Sequence, residues 1–133
     1  MRVITATRLI DLTTAASIPA LAQQPPTENK GMRADVLSSF ALGRQGLDDY
    51  AQRQIRMRRI TVEPGGTVGF HSHGQRPALT YVLSGVLTEH RKGGPDRTYN
   101  PGEVITESTD VDHWAENKGG EPVVLISVDL FKE

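Results

Sequence analysis

From Ala34 onward, apolar and polar residues alternate in short runs broken by glycine and proline. Period-two alternation over about four to eight residues marks strands that bury one face. The candidate strands are DVLSSFAL (35–42), YAQRQIRMRRITV (50–62), TVGFHSH (67–73), ALTYVLS (78–84), VLTEHRK (86–92), NPGEVIT (100–106), VDHWAEN (111–117) and VVLISVDLF (123–131). The alternation in the second run slips between Met57 and Ile60, which predicts a bulge or a change of burial. EPGG at 63–66, GGPDR at 93–97 and KGGEP at 118–122 carry turn signals, and Ser84-Gly85 stands where a tight hairpin would turn. About eight closely spaced short strands, with no helix-period pattern between them, predict an all-β sandwich or barrel such as a jelly roll.

Composition adds limits. A chain of 133 residues suits one domain. Thirteen glycines and eight prolines fit a turn-rich β fold. The formal charge of -1 gives no reason to expect nucleic acid or an acidic membrane as partner. With no cysteine there is neither a disulfide framework nor a thiolate metal site. No apolar run reaches the ~18 residues of a membrane span.

The N-terminus follows different rules. Arg2 and Arg8 precede a fairly apolar stretch ending Ala20-Leu21-Ala22. That order predicts a secretory signal peptide over 1–22 and a periplasmic or secreted product. Asp11, Thr13 and Thr14 dilute its apolar part, and the alternative is a loosely packed arm on a cytoplasmic protein. Residues 23–33 form a polar linker, and the domain is expected over 34–133.

Two of the four histidines sit two apart, in Phe70-His71-Ser72-His73. On a strand, residues i and i+2 share a face, roughly 6–7 Å apart along the backbone. Two imidazoles so placed can converge on one ion, or simply make a polar face. Their surroundings resemble the first motif of the cupin superfamily: Gly65 precedes His71 at the family's interval, and Gly85 closes the motif. His113 and Asn117, in DHWAEN, resemble the ending of its second motif. Pro101-Gly102 resembles the turn before it, although Ser108 and Asp110 stand where the stricter spacing has Pro and Gly. The resemblance extends over roughly Val36 to Phe131. It implies a cupin jelly-roll β-barrel, a double-stranded β-helix, with metal ligands at His71, His73 and His113.

The first motif's carboxylate position is occupied by Ala78, so the implied site is all-imidazole. Such a set suits a divalent transition metal: Fe, Mn, Ni, Cu or Zn. Gln75 is a candidate fourth ligand through its amide oxygen, or a loop residue bonding water. His90 ends VLTEH. If Val86, Thr88 and His90 face inward it is a candidate catalytic proton carrier; otherwise it is an exposed strand end. Arg76 is a candidate catalytic clamp for a carboxylate, or a rim ion pair. Tyr81 and Trp114 are expected to face away from the site, and Asn117 to tie off a turn. The arginines 53, 56, 58 and 59 are expected on a solvated or salt-bridged strand face.

The resemblance implies a small metal-dependent enzyme, dioxygenase-like or isomerase-like, acting on a small anionic molecule. The alternative is a non-catalytic binding module with the metal as anchor. A homodimer is expected, because a small jelly roll leaves sheet edges and an apolar outer face to cover.

Overall fold

Alternation along the chain becomes eight antiparallel strands in the computed structural model, which describes residues 24–132. The expected signal peptide lies outside the described residues. The strands are β1 (Lys30–Ala41), β2 (Arg53–Ser72), β3 (Ala78–Ser84), β4 (Leu87–Arg91), β5 (Arg97–Tyr99), β6 (Val104–Glu107), β7 (Asp112–Glu116) and β8 (Val123–Lys132). Two short 3-10 turns separate β1 from β2. The hydrogen-bonded order is β5-β4-β7-β2-β8-β3-β6, with β1 added along β2. This is the expected all-β jelly roll, the double-stranded β-helix.

The 20-residue β2 links the two halves of the barrel. Its first half pairs with β1 and β8, and its last residues pair with β7. EPGG is therefore a bend inside one continuous strand and does not separate two. Gly65 takes φ +73° there, and its N–H bonds the carbonyl of Asn117 at 2.9 Å. Asn117 ties this corner as expected, donating from Nδ2 to the carbonyls of Val62 and Glu121.

Ser84-Gly85 is not a hairpin. β3 pairs with β6 and β8, whereas β4 pairs with β5 and β7. The chain crosses between layers at Gly85, where φ is +75° and a Cβ would lie 2.6 Å from the Pro122 carbonyl oxygen. Only glycine fits both conditions. β1 also starts at Lys30, inside the expected linker. Residues 26–29 of that linker pack over the end of β2: Phe70 N–H donates to Pro26 O at 2.6 Å, and Gly69 N–H to Asn29 Oδ1 at 2.9 Å.

One end of the barrel is filled with hydrocarbon. Ile60, Val62, Val82, Leu87, Ile105, Val123 and Leu125 form its buried core with Tyr99 and Ala115. Stepping by two from these residues along the same strand faces leads into polar side chains. Leu125 leads to Ser127 and Asp129, Val82 to Thr80, Leu87 to Glu89, Ile105 to Glu107 and Ala115 to His113, all six destinations being buried. Ile60 likewise leads to Arg58, which lines the internal cavity. The slip of alternation in β2 is this change of inward chemistry; β2 keeps an unbroken register with β8, and a shift falls in β1 between Val36 and Ser38. Burying so many polar groups is costly unless they are hydrogen-bonded or hold a ligand.

Candidate metal centre

His71 and His113 are register partners across β2 and β7. His73 lies just past the end of β2, where its N–H bonds Val111 O at 2.8 Å. The three rings turn their Nε2 atoms together, each 3.1 Å from the other two. Each Nδ1 is held by a separate acceptor. His71 donates to Gly69 O at 2.8 Å, His73 to Arg76 O at 2.9 Å, and His113 to Glu89 Oε1 at 2.6 Å. Carbonyls and carboxylates accept, so the ring protons belong on Nδ1.

Neutral rings of that tautomer aim bare Nε2 lone pairs at one another. The 3.1 Å contacts then carry no proton and are not hydrogen bonds. Burial also lowers the pKa of His71 and of His73 to about 4, so both are neutral near pH 7. Three converging Nε2 atoms, with every Nδ1 turned outward to an acceptor, suit a cation. Their spacing matches three imidazoles on one side of an ion at ~2.0–2.1 Å.

Acids surround this triangle. Glu89, with no exposed surface, accepts from His113, from Arg91 Nε at 3.0 Å and from Tyr99 Oη at 2.9 Å. Burial alone would raise its carboxyl, but these donors bring it below the usual range. Glu107 Oε1 stands 3.6 Å from His113 Nε2 and 3.8 Å from His73 Nε2. Its Oε2 accepts from Thr80 Oγ1 at 2.9 Å. Burial pushes the Glu107 carboxyl up, against the pull of His113.

Arginines supply the opposite charge. Arg56 donates twice to the fully buried Asp129, at 2.8 and 3.1 Å, and Arg58 Nη2 reaches it at 3.1 Å. Arg76 Nη1 lies 3.5 Å from it. One carboxylate thus faces three guanidinium groups. Arg58 Nε is buried without a hydrogen-bond partner, and burial lowers that guanidinium's pKa. A cavity of about 470 Å³ joins the three histidines to Arg58, Arg76 and Glu107, and Thr27, Glu28 and Asn29 lie along its wall.

Of the residues singled out from sequence, His71, His73, His113 and Arg76 meet at this cavity. Gln75 does not: it is exposed, and its backbone carbonyl accepts from Arg53 Nη1 at 2.7 Å. His90 does not either. Its ring stacks on Trp114 at 3.8 Å and bonds Asp96 at 2.7 Å and Glu116 at 2.8 Å. Leu87 and Glu89 take the inward register on β4, which turns His90 outward beside its partner Trp114. Tyr81 is exposed, as expected. Sequence reasoning missed Glu89, Glu107 and Arg58. Each lies two residues from an apolar core position on its own strand, and that step was the available signal.

The chain is similar to several known proteins. It is 28% identical over 117 residues to the oxalate decarboxylase OxdC of Bacillus subtilis, covering 85% of this chain but 28% of that protein's length. Its structure is similar to a predicted oxalate decarboxylase from Thermotoga maritima, with a TM-score of 0.60 and 20% identity, over 81% of this chain and 94% of the other. It is also similar to a sugar phosphate isomerase from Silicibacter pomeroyi, with a TM-score of 0.54 and 20% identity, over 77% and 60% of the two chains. At these identities the structural likeness concerns the fold. The cupin domain family matches residues 58–129, more than half of the 133 residues and all three histidines; the chain belongs to the cupin family.

Proposed function

We propose that this cupin is a metal-dependent enzyme acting on a small carboxylate. A divalent transition metal is held by His71, His73 and His113. The observation that carries this reading is the convergence of three Nε2 atoms with two guanidinium groups, those of Arg58 and Arg76, within one cavity. When bound, the metal supplies Lewis-acid polarisation of a substrate oxygen. Arg58 and Arg76, which line the cavity, hold the substrate's anionic end. Glu89 keeps His113 in the tautomer whose Nε2 is free. Ile60, Ile105 and Leu125 close the cavity on its apolar side and limit water and substrate size. The likeness to an oxalate decarboxylase supports a small carboxylate as substrate.

Protein purified without a histidine tag should carry close to one divalent metal per chain. Turnover is then measured on a panel of small mono- and dicarboxylates, oxalate included, with oxygen uptake followed in parallel. Metal-dependent turnover of one of them is the expected result. Metal-free protein that gains no metal on incubation with Mn(II), Fe(II) or Zn(II) would overturn the reading. Tight binding of metal and carboxylate without turnover would favour the binding-module alternative, because the arginines anchor an anion whether or not a bond is broken.

A further inference from the structure

The first cupin motif places a carboxylate at position 78, and this chain has alanine there. We infer that Glu107 supplies the missing carboxylate to the same metal from the neighbouring strand. The inference rests on the three-histidine metal reading above.

The register makes the relocation concrete. Ala78 on β3 and Glu107 on β6 are directly opposed partners. Opposed residues put their Cβ atoms on the same face, about 4.5–5.5 Å apart. Both are buried on the inward face. A carboxylate carried by either position therefore serves the same part of the cavity, and the small side chain of Ala78 leaves Glu107 room.

Distances point the same way. Two bonds of ~2.0–2.2 Å to one ion span up to about 4.2 Å between donor atoms. Glu107 Oε1 is inside that limit from His113 Nε2, at 3.6 Å, and His73 Nε2, at 3.8 Å, but it falls outside the group of ligand atoms lying within 4.8 Å of one another that the three imidazoles form, so the carboxylate has to turn toward the ion to join them. Rotation about the soft terminal torsion of the side chain is available to bring the oxygen closer still. Thr80 holds the other oxygen at 2.9 Å, which orients the carboxylate. A buried carboxylate that, among the described residues, has no arginine or lysine at salt-bridge distance is costly by itself; a divalent ion would offset that cost. A carboxylate also changes which metal the site prefers, since oxygen ligands suit Mn(II) better than imidazole alone does.

The test measures metal affinity by competition with a chromophoric chelator, using Mn(II) and Zn(II) separately. Glu107→Gln keeps shape and hydrogen bonding and should fold. It is expected to weaken Mn(II) binding at least ~10-fold, the low end of what loss of an outer-shell partner alone costs, and to weaken Zn(II) less. The double variant Ala78→Glu/Glu107→Ala should bind Mn(II) more tightly than Glu107→Ala, because it returns the carboxylate to the opposed position. Substitution with Co(II) gives a second readout, with a visible spectrum that changes between wild type and Glu107→Gln. Wild-type affinity in Glu107→Gln for both metals, with an unchanged Co(II) spectrum, would overturn the inference and leave the three-histidine site standing. Wild-type protein that binds neither metal would overturn both.

Discussion

Glu89 Oε1 and His113 Nδ1 are 2.6 Å apart, both buried, on adjacent strands β4 and β7. A carboxylate behind an imidazole fixes the ring's tautomer and raises its basicity as a ligand. Glu89→Gln keeps an oxygen to accept from His113 and removes the charge. Metal affinity should fall by about 10–100-fold with the fold intact. Glu89→Ala should lower thermal stability as well, because Tyr99 Oη and Arg91 Nε lose their acceptor. Chelator competition and thermal melts on the two variants check this.

The metal-free protein should lose stability in mild acid. His71 and His73 are pushed by burial to about 4, against an ordinary value of 6.5. Between pH 6.5 and 4 the unfolded chain binds protons that the folded chain refuses. Stability therefore falls as pH falls through that window, and the contribution is gone below about 4. Glu107, raised by burial, acts in the opposite sense in the acid range. Melting temperatures of the apoprotein should drop from pH 7 to pH 4.5. Glu107→Gln should make the drop steeper, and His71→Gln should make it shallower.

Arg58→Met should separate substrate binding from metal binding. The methionine keeps much of the volume, and Asp129 retains both bonds from Arg56. A hydrogen bond to a charged group is worth ~1.5–3 kcal/mol, so affinity for a small carboxylate should fall by about 10–100-fold. Metal content should stay at the wild-type level. Calorimetric titration of metal-loaded protein with the best carboxylate of the panel measures the affinity, and elemental analysis of the same protein measures the metal content.

The barrel was legible because turn residues and period-two runs are local properties of sequence. The histidine pair was legible for the same reason: i and i+2 share a strand face whatever the rest of the chain does. Pairing across the fold is not local. Ser84-Gly85 looks like a hairpin turn until Pro122 and Val123 are known to press against Gly85. His90 or Glu89 could face inward on β4, and Leu87 on the inner face decides for Glu89. Arg58 is expected with three other arginines on a solvated or salt-bridged strand face; it does pair with Asp129, but on the inner side of the barrel. Its place among inward residues follows from the unbroken register of β2 with β8, where Ile60 opposes Leu125. Glu107 is one inward step from Ile105 on its own strand, but its place opposite Ala78 follows only from the pairing of β6 with β3.

The outer face of β3 predicts self-association. Leu79, Tyr81 and Leu83 alternate outward and are about half exposed, beside Val104, which is the register partner of Tyr81. A contiguous exposed apolar patch of this kind marks an interaction surface, and a two-fold interface would let two copies cover it together. Light scattering at tens of micromolar, as a rough working concentration for a weak dimer, should give twice the chain mass. Leu79→Asp should return it to the monomer mass while leaving metal affinity unchanged, since Leu79 points away from the cavity. A wild-type monomer at that concentration would reject the dimer.

Gly69 predicts how the site is closed. A Cβ there would lie 2.8 Å from Thr27 O and Glu28 C, and 2.9 Å from Glu28 N. These are backbone atoms, which cannot swing aside as a side chain does. Gly69 N–H also holds Asn29 Oδ1, and Gly69 O holds the Nδ1 proton of His71. One residue therefore fixes both a metal-site imidazole and the segment along the cavity wall. Gly69→Ala should push the segment 24–29 off the end of β2 and open the cavity. Release of metal to excess chelator should become several-fold faster, whereas the inward side chains of the barrel stay in place. Faster trypsin cleavage at Lys30, which follows the displaced segment, would accompany it. Wild-type rates for both release and cleavage, in a variant with a native melt, would mean that the segment does not control access to the histidines.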